Sequence, residues 1–258
     1  VPRSDRGIGL SRADRSGSPD EAFPRSAYQI PDVLLGEVRS GNTAYPGRIA
    51  ERTGSGITAF ANPATIFRGE LVFAAPHMDD EVLACGGTIA SLPDKERIHV
   101  VYATNGSKSP VPAFEWIGSS SADLPSIRRA EAQSALDVLG IPKQNRQFLD
   151  FPDGELRHNV SNVQHPLAGL LERVRPSHVF IPFRFDRHPD HVALHAAAMR
   201  ASSAIRQPIQ VVEYFVYYRW RLLPGGDIRK VIRPEHLVRI DISGQSQRKQ
   251  RALECYVS

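Results

Sequence analysis

Short apolar runs alternate along this chain with longer segments whose apolar positions recur at helical spacing. The run at residues 70–75, built on Leu71-Val72-Phe73-Ala74, predicts a buried strand, and residues 82–92 continue as an apolar segment of helical length. Residues 98–103 predict a second strand ending in the turn signal Thr104-Asn105-Gly106-Ser107. Over 125–139 a helix is expected, with Leu124, Ile127, Ala130, Ala135, Leu136 and Leu139 sharing a face and Gly140 as its stop. Strands then follow at 146–149, 178–181, 209–216 and 237–242. They are separated by helices at 163–174, stopped before Pro176, and at 188–204, and the start of a last helix covers 245–256. Strand and helix alternating at this spacing predict βαβ units: an α/β fold with a largely parallel sheet and helices on both faces. Ligands of such sheets bind outside the carboxyl ends of the strands, which puts the loops after Ala75, Ala103, Leu149 and Ile181 on one edge. Gly86-Gly87 falls inside a helix and outside any GxGxxG turn, so it is read as permitting close helix–sheet packing.

Residues 1–68 differ from the rest. They are polar, rich in Gly, Ser, Pro and Arg at the start, and without periodicity, so an N-terminal extension, partly disordered, is expected there, with a main domain at 69–258. Within the extension, residues 30–38 suggest one short helix. The formal charge of +4 over 258 residues is modest; it permits an anionic substrate and does not indicate nucleic acid. Cys85 and Cys255 are the only cysteines, which excludes a CxxC zinc site and makes a disulfide framework an unsuitable reading. No apolar run approaches the roughly 20 residues that span a membrane, and no signal-peptide core opens the chain, so a cytoplasmic, non-membrane-spanning protein is expected.

The chemistry gathers in two clusters. His77-Met78-Asp79-Asp80-Glu81 sets one imidazole beside three consecutive carboxylates directly after the first strand. Packed at a strand end, such a triplet needs a cation to offset repulsion and desolvation. Asp186-Arg187-His188-Pro189-Asp190-His191 follows the strand ending at Ile181, with Pro189 suited to a first helical turn. His77 and Asp80 are three apart, as are His188 and His191. Two strand ends on one edge thus each offer histidine and carboxylate, and two His with one Asp leave a tetrahedral zinc ion an open position for water. His195, four on from His191, is a further candidate donor. His99, His158, His165, His178 and His236 have no such company and are read as ordinary surface or core residues. The acidic triplet also has a plainer reading, with Asp79 or Asp80 capping a helix.

The stretch Pro76-His77-Met78-Asp79-Asp80-Glu81-Val82-Leu83-Ala84-Cys85-Gly86-Gly87-Thr88 resembles the HPDDE…GCGGT signature of the LmbE-like (PIG-L) zinc-dependent N-deacetylases. His188-Pro189-Asp190-His191 resembles that family's second motif. Between them, Arg128-Arg129-Ala130-Glu131 and Asp153-Gly154-Glu155 sit where the family has an RxxE helix and a DG loop. The resemblance implies a Rossmann-like domain holding Zn2+ through His77, Asp80 and His191. It implies Asp79 as the general base for the attacking water, His188 for the oxyanion or the leaving amine, and Asp190 orienting an imidazole. Arg128, Asn105 and Asp186 would serve the substrate. The expected partner is a small-molecule sugar conjugate (glycolipid, thiol precursor or glycosylated natural product) of N-acetylglucosamine type, and a homo-oligomer is compatible with this.

Met78 replaces the family's usual Pro, loosening the loop without losing a ligand, and Asn105 stands where many relatives carry Asp. Two rival readings share the fold: a zinc amidohydrolase acting on a non-sugar N-acyl substrate, and a non-catalytic sugar-binding protein. Phe114, Trp116 and the run Tyr217-Tyr218-Arg219-Trp220-Arg221 are candidates to line a sugar or aglycone pocket, or for ordinary packing.

Overall fold

Leu71–Ala75 (β3) is buried at every position, as a central strand covered on both faces must be. The computed structural model describes residues 33–38, 60–109, 123–217, 232 and 236–258, with 33–38 and 60 as backbone only. In chain order the other elements are β1 (Val33–Val38), β2 (Phe60–Ala61), α1 (Pro63–Ile66), α2 (Asp80–Ser91), β4 (Ile98–Thr104) and α3 (Leu124–Leu139). They continue with β5 (Arg146–Phe151), α4 (Val160–Val174), β6 (His178–Pro182), α5 (Pro189–Ala204), β7 (Gln210–Tyr214), β8 (Leu237–Asp241) and α6 (Ser246–Leu253).

The described strands form one sheet in the order β2-β8-β1-β7-β6-β3-β4-β5, and every pairing is parallel. Register is carried by β3, whose Phe73 stands opposite Val100 on β4 and Phe180 on β6. The Phe73 and Phe180 rings stack at 4.1 Å. Leu71, Phe73 and Ala75 join α2, α3 and α6 in one apolar cluster, while Val72 and Ala74, equally buried, point to the opposite face. Helices α2, α3 and α6 pack together, and α4 packs with α5.

One expectation is corrected. The helix expected over residues 30–38 is replaced, where the chain is described, by a strand: Val33–Val38 pairs with β7 on one side and β8 on the other. A short apolar run carries no periodicity that separates strand from helix, and here two open strand edges decided the matter. The sheet therefore draws on residues before 69.

Two glycines are required by the packing. Gly140 ends α3 at φ 83°, the left-handed stop. A Cβ on Gly87 would meet Ile242 Cγ2 at 2.5 Å, so α2 approaches the segment after β8 only because that side chain is missing. Among the described residues no helix is long and apolar enough to cross a membrane.

Candidate metal centre

From β3 the chain crosses to β4 on one side, while β6 lies on the other, so the carboxyl ends of β3 and β6 flank the point where strand order reverses. Clefts at such points are where open parallel sheets bind ligands. Both histidine clusters emerge there. Beyond the end of β3 at Ala75 the chain turns into α2 at Asp79, with φ 130°, and α2 starts at Asp80 with Asp80 and Glu81 in its positive first turn. The β6 exit runs to His188, which caps α5: its Nδ1 accepts from Asp190 N at 3.3 Å, and Pro189 follows where a missing N–H is harmless.

Asp80 Oδ2 is the meeting point. It lies 3.2 Å from His77 Nδ1 and 3.2 Å from His191 Nε2, and accepts from His77 N at 3.1 Å. Each imidazole is held from behind by acid. Nε2 of His77 is 3.2 Å from Asp190 Oδ2 and 3.2 Å from Asp153 Oδ1. Nδ1 of His191 is 3.0 Å from Asp186 Oδ2. Carboxylates accept, so these nitrogens donate to them, and His77 Nδ1 and His191 Nε2 are left facing Asp80 Oδ2, the two nitrogens that would ligate a metal on losing their protons to it. The acids are fixed in turn. Asp190 accepts from Gly154 N at 2.7 Å and Leu156 N at 3.0 Å, Asp153 from Lys108 N at 3.0 Å, and Asp186 from Tyr217 N at 3.2 Å.

These groups fit a metal ion. His191 is fully buried, yet its Nε2 has no hydrogen bond, and its contact with Asp80 lacks hydrogen-bond alignment. Two imidazole nitrogens converging on one buried carboxylate oxygen are a donor set that a divalent ion such as zinc takes. Donor atoms about 2.0–2.1 Å from a tetrahedral ion stand about 3.3 Å apart, close to both spacings around Asp80. The donor atoms of His77, His188 and His191 also lie within 4.8 Å of one another, as do those of His77, Asp153 and Asp190. The second trio is the one that orients His77.

Charge follows this geometry. Burial would lower the His77 pKa, but Asp153, Asp190 and Asp80 outweigh it and hold it well above the usual range. Burial likewise opposes the His191 charge, and Asp80 and Asp186 raise its pKa to about 9. Asp80 stays far below the ordinary carboxylate range: burial pushes it up, and the charge and contact of His191, with His77, push it down further. Asp79 behaves oppositely. Burial and the Asp80 charge lift it to about 7, against the pull of Arg128. His188 is lowered by burial and by the neighbouring His77 and His191 charges, so it is the neutral imidazole of the group, with Nδ1 accepting and Nε2–H free to donate.

The structure brings His77, Asp80, Asp186, His188, Asp190 and His191 together. Arg128 is elsewhere than expected for a substrate contact. It is 3% exposed, and its guanidinium donates to Asp79 Oδ2 at 3.1 Å, to the Met78 carbonyl and to Glu131 Oε2 at 3.2 Å. Asp186, 1% exposed, stands behind His191 and does not face open solvent. Asn105 closes the turn after β4, its Oδ1 accepting from Ser107 N at 3.1 Å. His195 Nε2 lies 2.6 Å from Glu213 Oε1, which Arg184 also holds, so it is paired outside the cluster. Of the aromatic candidates, only Tyr217 lies within the described residues, stacked on His188 at 5.7 Å and 43% exposed. Asp153 was missed as a site residue. Its one sequence signal was the Asp-Gly pair after a strand end, to which no partner could be attached.

A parallel α/β sheet carrying a His/Asp constellation at its switch point makes this an α/β protein with a candidate metal centre. The PIG-L family, described as GlcNAc-PI de-N-acetylase, matches residues 72–202, and the chain belongs to that family. It is 32% identical over 136 residues to the probable N-acetyl-alpha-D-glucosaminyl L-malate deacetylase 2 of Bacillus cereus, covering 50% of this chain and 58% of that protein. It is 26% identical over 236 residues to the 1D-myo-inositol 2-acetamido-2-deoxy-alpha-D-glucopyranoside deacetylase of Rhodococcus opacus, covering 73% of this chain and 80% of the other. The chain thus spans less than two thirds of the Bacillus protein. A conserved protein of Thermus thermophilus superposes with a TM-score of 0.53 at 27% identity, over 73% of this chain and 79% of that one. The N,N'-diacetylchitobiose deacetylase of Pyrococcus horikoshii, at 22% identity and TM-score 0.53 over 76% and 72%, shares the fold.

Proposed function

We propose that this protein is a zinc-dependent hydrolase removing the N-acetyl group from an N-acetylglucosamine-type sugar conjugate. The observation that carries the reading is the buried Asp80 Oδ2 standing 3.2 Å from both His77 Nδ1 and His191 Nε2, two imidazoles and a carboxylate converging at the strand ends. Family membership and deacetylase relatives supply the acetamido-sugar class.

His77, Asp80 and His191 would hold the zinc, with Asp153, Asp190 and Asp186 keeping the two imidazoles in the ligating tautomer. Bound zinc supplies Lewis acidity and brings the pKa of a water toward neutrality. Asp79, its carboxylate held by Arg128 beside the ligand Asp80, takes the proton of the attacking water and returns it to the departing amine. His188, held neutral, donates from Nε2–H to the oxyanion that develops on the acetyl oxygen. Arg128 and Asp186, buried behind Asp79 and His191, act as positioning residues, and Asn105 is kept as the sugar-hydroxyl contact. The catalytic domain is assigned to 69–258 with β1 and β2 added, and a cytoplasmic location is proposed with it.

Acetate release from N-acetylglucosamine conjugates, measured beside zinc content, tests this. Turnover that disappears in Asp79→Ala while zinc stays bound supports the mechanism, and full activity in that variant sinks it. Release from acetylated peptides alone would assign a non-sugar amide. Sugar binding with no zinc and no turnover would make the protein a binding module.

A further inference from the structure

Asp79 stands at φ 130° and ψ −29°, a conformation a residue with a Cβ adopts only when its surroundings impose it. Two buried relays converge on it. On the backbone side, Asp79 N donates to Glu81 Oε2 at 3.2 Å, and Glu81 Oε1 accepts from the Tyr256 hydroxyl at 2.8 Å. On the side-chain side, Arg128 Nη2 donates to Asp79 Oδ2 at 3.1 Å, and Arg128 Nη1 donates to Glu131 Oε2 at 3.2 Å. Glu131 Oε1 in turn accepts from Val257 N at 3.0 Å and Ser258 N at 2.9 Å, and its Oε2 from Ser258 Oγ at 2.6 Å. The Arg128 guanidinium lies 5.1 Å over the Tyr256 ring, joining the relays. Glu81 and Glu131, 1% and 7% exposed, are both committed on one side to the Asp79 turn and on the other to residues 256–258.

We infer that Tyr256 and Glu131 are positioning residues for Asp79: through Glu81 and Arg128 they hold its backbone and carboxylate in place, so the segment after α6 is a strap on the turn that presents the base. The inference rests on Asp79 being the base of the hydrolysis proposed above. A strap with a purely structural role would fasten α6 to α2 and α3 and leave the Asp79 geometry alone. One that positions the base makes the chemical step depend on groups far along the chain, with substrate and metal binding untouched.

The test uses the full zinc-loaded chain in three forms: Tyr256→Phe, Glu131→Gln and the double variant. Tyr256→Phe removes one hydroxyl and keeps the ring under Arg128. Acetate release from an N-acetylglucosamine conjugate gives kcat and KM, atomic absorption gives zinc content, and crystal structures give the Asp79 φ. Each single variant is expected to lose about tenfold in kcat, the value of one charged hydrogen bond, with KM and zinc content unchanged. The double variant is expected to release Asp79 from positive φ. Unchanged kcat in both singles overturns the inference, and so does a loss confined to KM or to zinc content. Should Glu131→Gln not fold, Tyr256→Phe alone decides by the same readings. If the wild-type chain releases no acetate, the functional reading fails by itself. The crystal structures then still decide the relay, since Asp79 unmoved in the variants overturns it and Asp79 displaced supports it.

Discussion

The carboxylate of Asp79 is held 3.1 Å from Nη2 of Arg128, a guanidinium that is itself buried on α3. The pair sets one carboxyl of the acidic triplet apart from its neighbour. Asp80 faces two imidazoles and stays ionised, whereas burial and the like charges of Asp80 and Glu81 lift Asp79 to about 7 against the pull of Arg128 and His77.

Removing that cation moves the base. In Arg128→Gln the Asp79 pKa rises above about 7, because the one group that lowers it strongly is gone. The acid limb of the kcat/KM–pH profile is expected to shift to higher pH. Glu131 loses its cation in the same variant, leaving a buried carboxylate with hydrogen bonds alone, so unfolding free energy should fall by about 3 kcal/mol, measured by denaturant titration.

Asp186 and Asp153 stand behind different imidazoles, 3.0 Å from His191 Nδ1 and 3.2 Å from His77 Nε2. Asp186→Ala and Asp153→Ala are each expected to weaken zinc binding by about 10–100-fold in a chelator competition. Equal affinity in both variants and the wild type would remove these two acids from the metal site.

The imidazoles set a pH signature for the metal-free chain. His191 rises from an ordinary 6.5 to about 9, and His77 rises as well, so both bind protons more tightly folded than unfolded. The stability they contribute is complete below about pH 6.5 and is lost as pH climbs through about 9. Thermal melts in chelator are expected to fall across that window, and melts with zinc to stay level. Calorimetry at pH 7 should show one proton released from each imidazole on zinc binding, as a buffer-dependent heat.

A packing prediction concerns α2. Gly87→Ala puts a Cβ 2.5 Å from Ile242 Cγ2 and should destabilise by about 1–3 kcal/mol despite alanine's better helix propensity. At Gly86 the nearest atom is Val82 Cγ1 at 3.0 Å, so Gly86→Ala is expected to lose less. Paired denaturation curves check the order.

Much of this was legible in one dimension. The runs at β3, β4 and β6 are apolar because those strands are covered on both faces, and that local necessity betrays the parallel α/β sheet. The spacing of His77 from Asp80 and of His188 from His191, each after a strand, was enough to mark a candidate metal site, since neighbours along the chain share a turn. Partners remote in sequence left no such trace. That Asp153 backs His77, that Arg128 serves Asp79, and that Glu131 closes on residues 257–258 depends on where the sheet order sets three loops and a helix side by side. Val33–Val38 became a strand because β7 and β8 each offered it an open edge, a property of the assembled sheet and not of the segment. The sequence by itself determined which residues could do the chemistry. Tertiary structure decided which carboxylate each imidazole and each cation would meet, because pKa and tautomer answer to contacts a few ångströms away in space, whatever their distance along the chain.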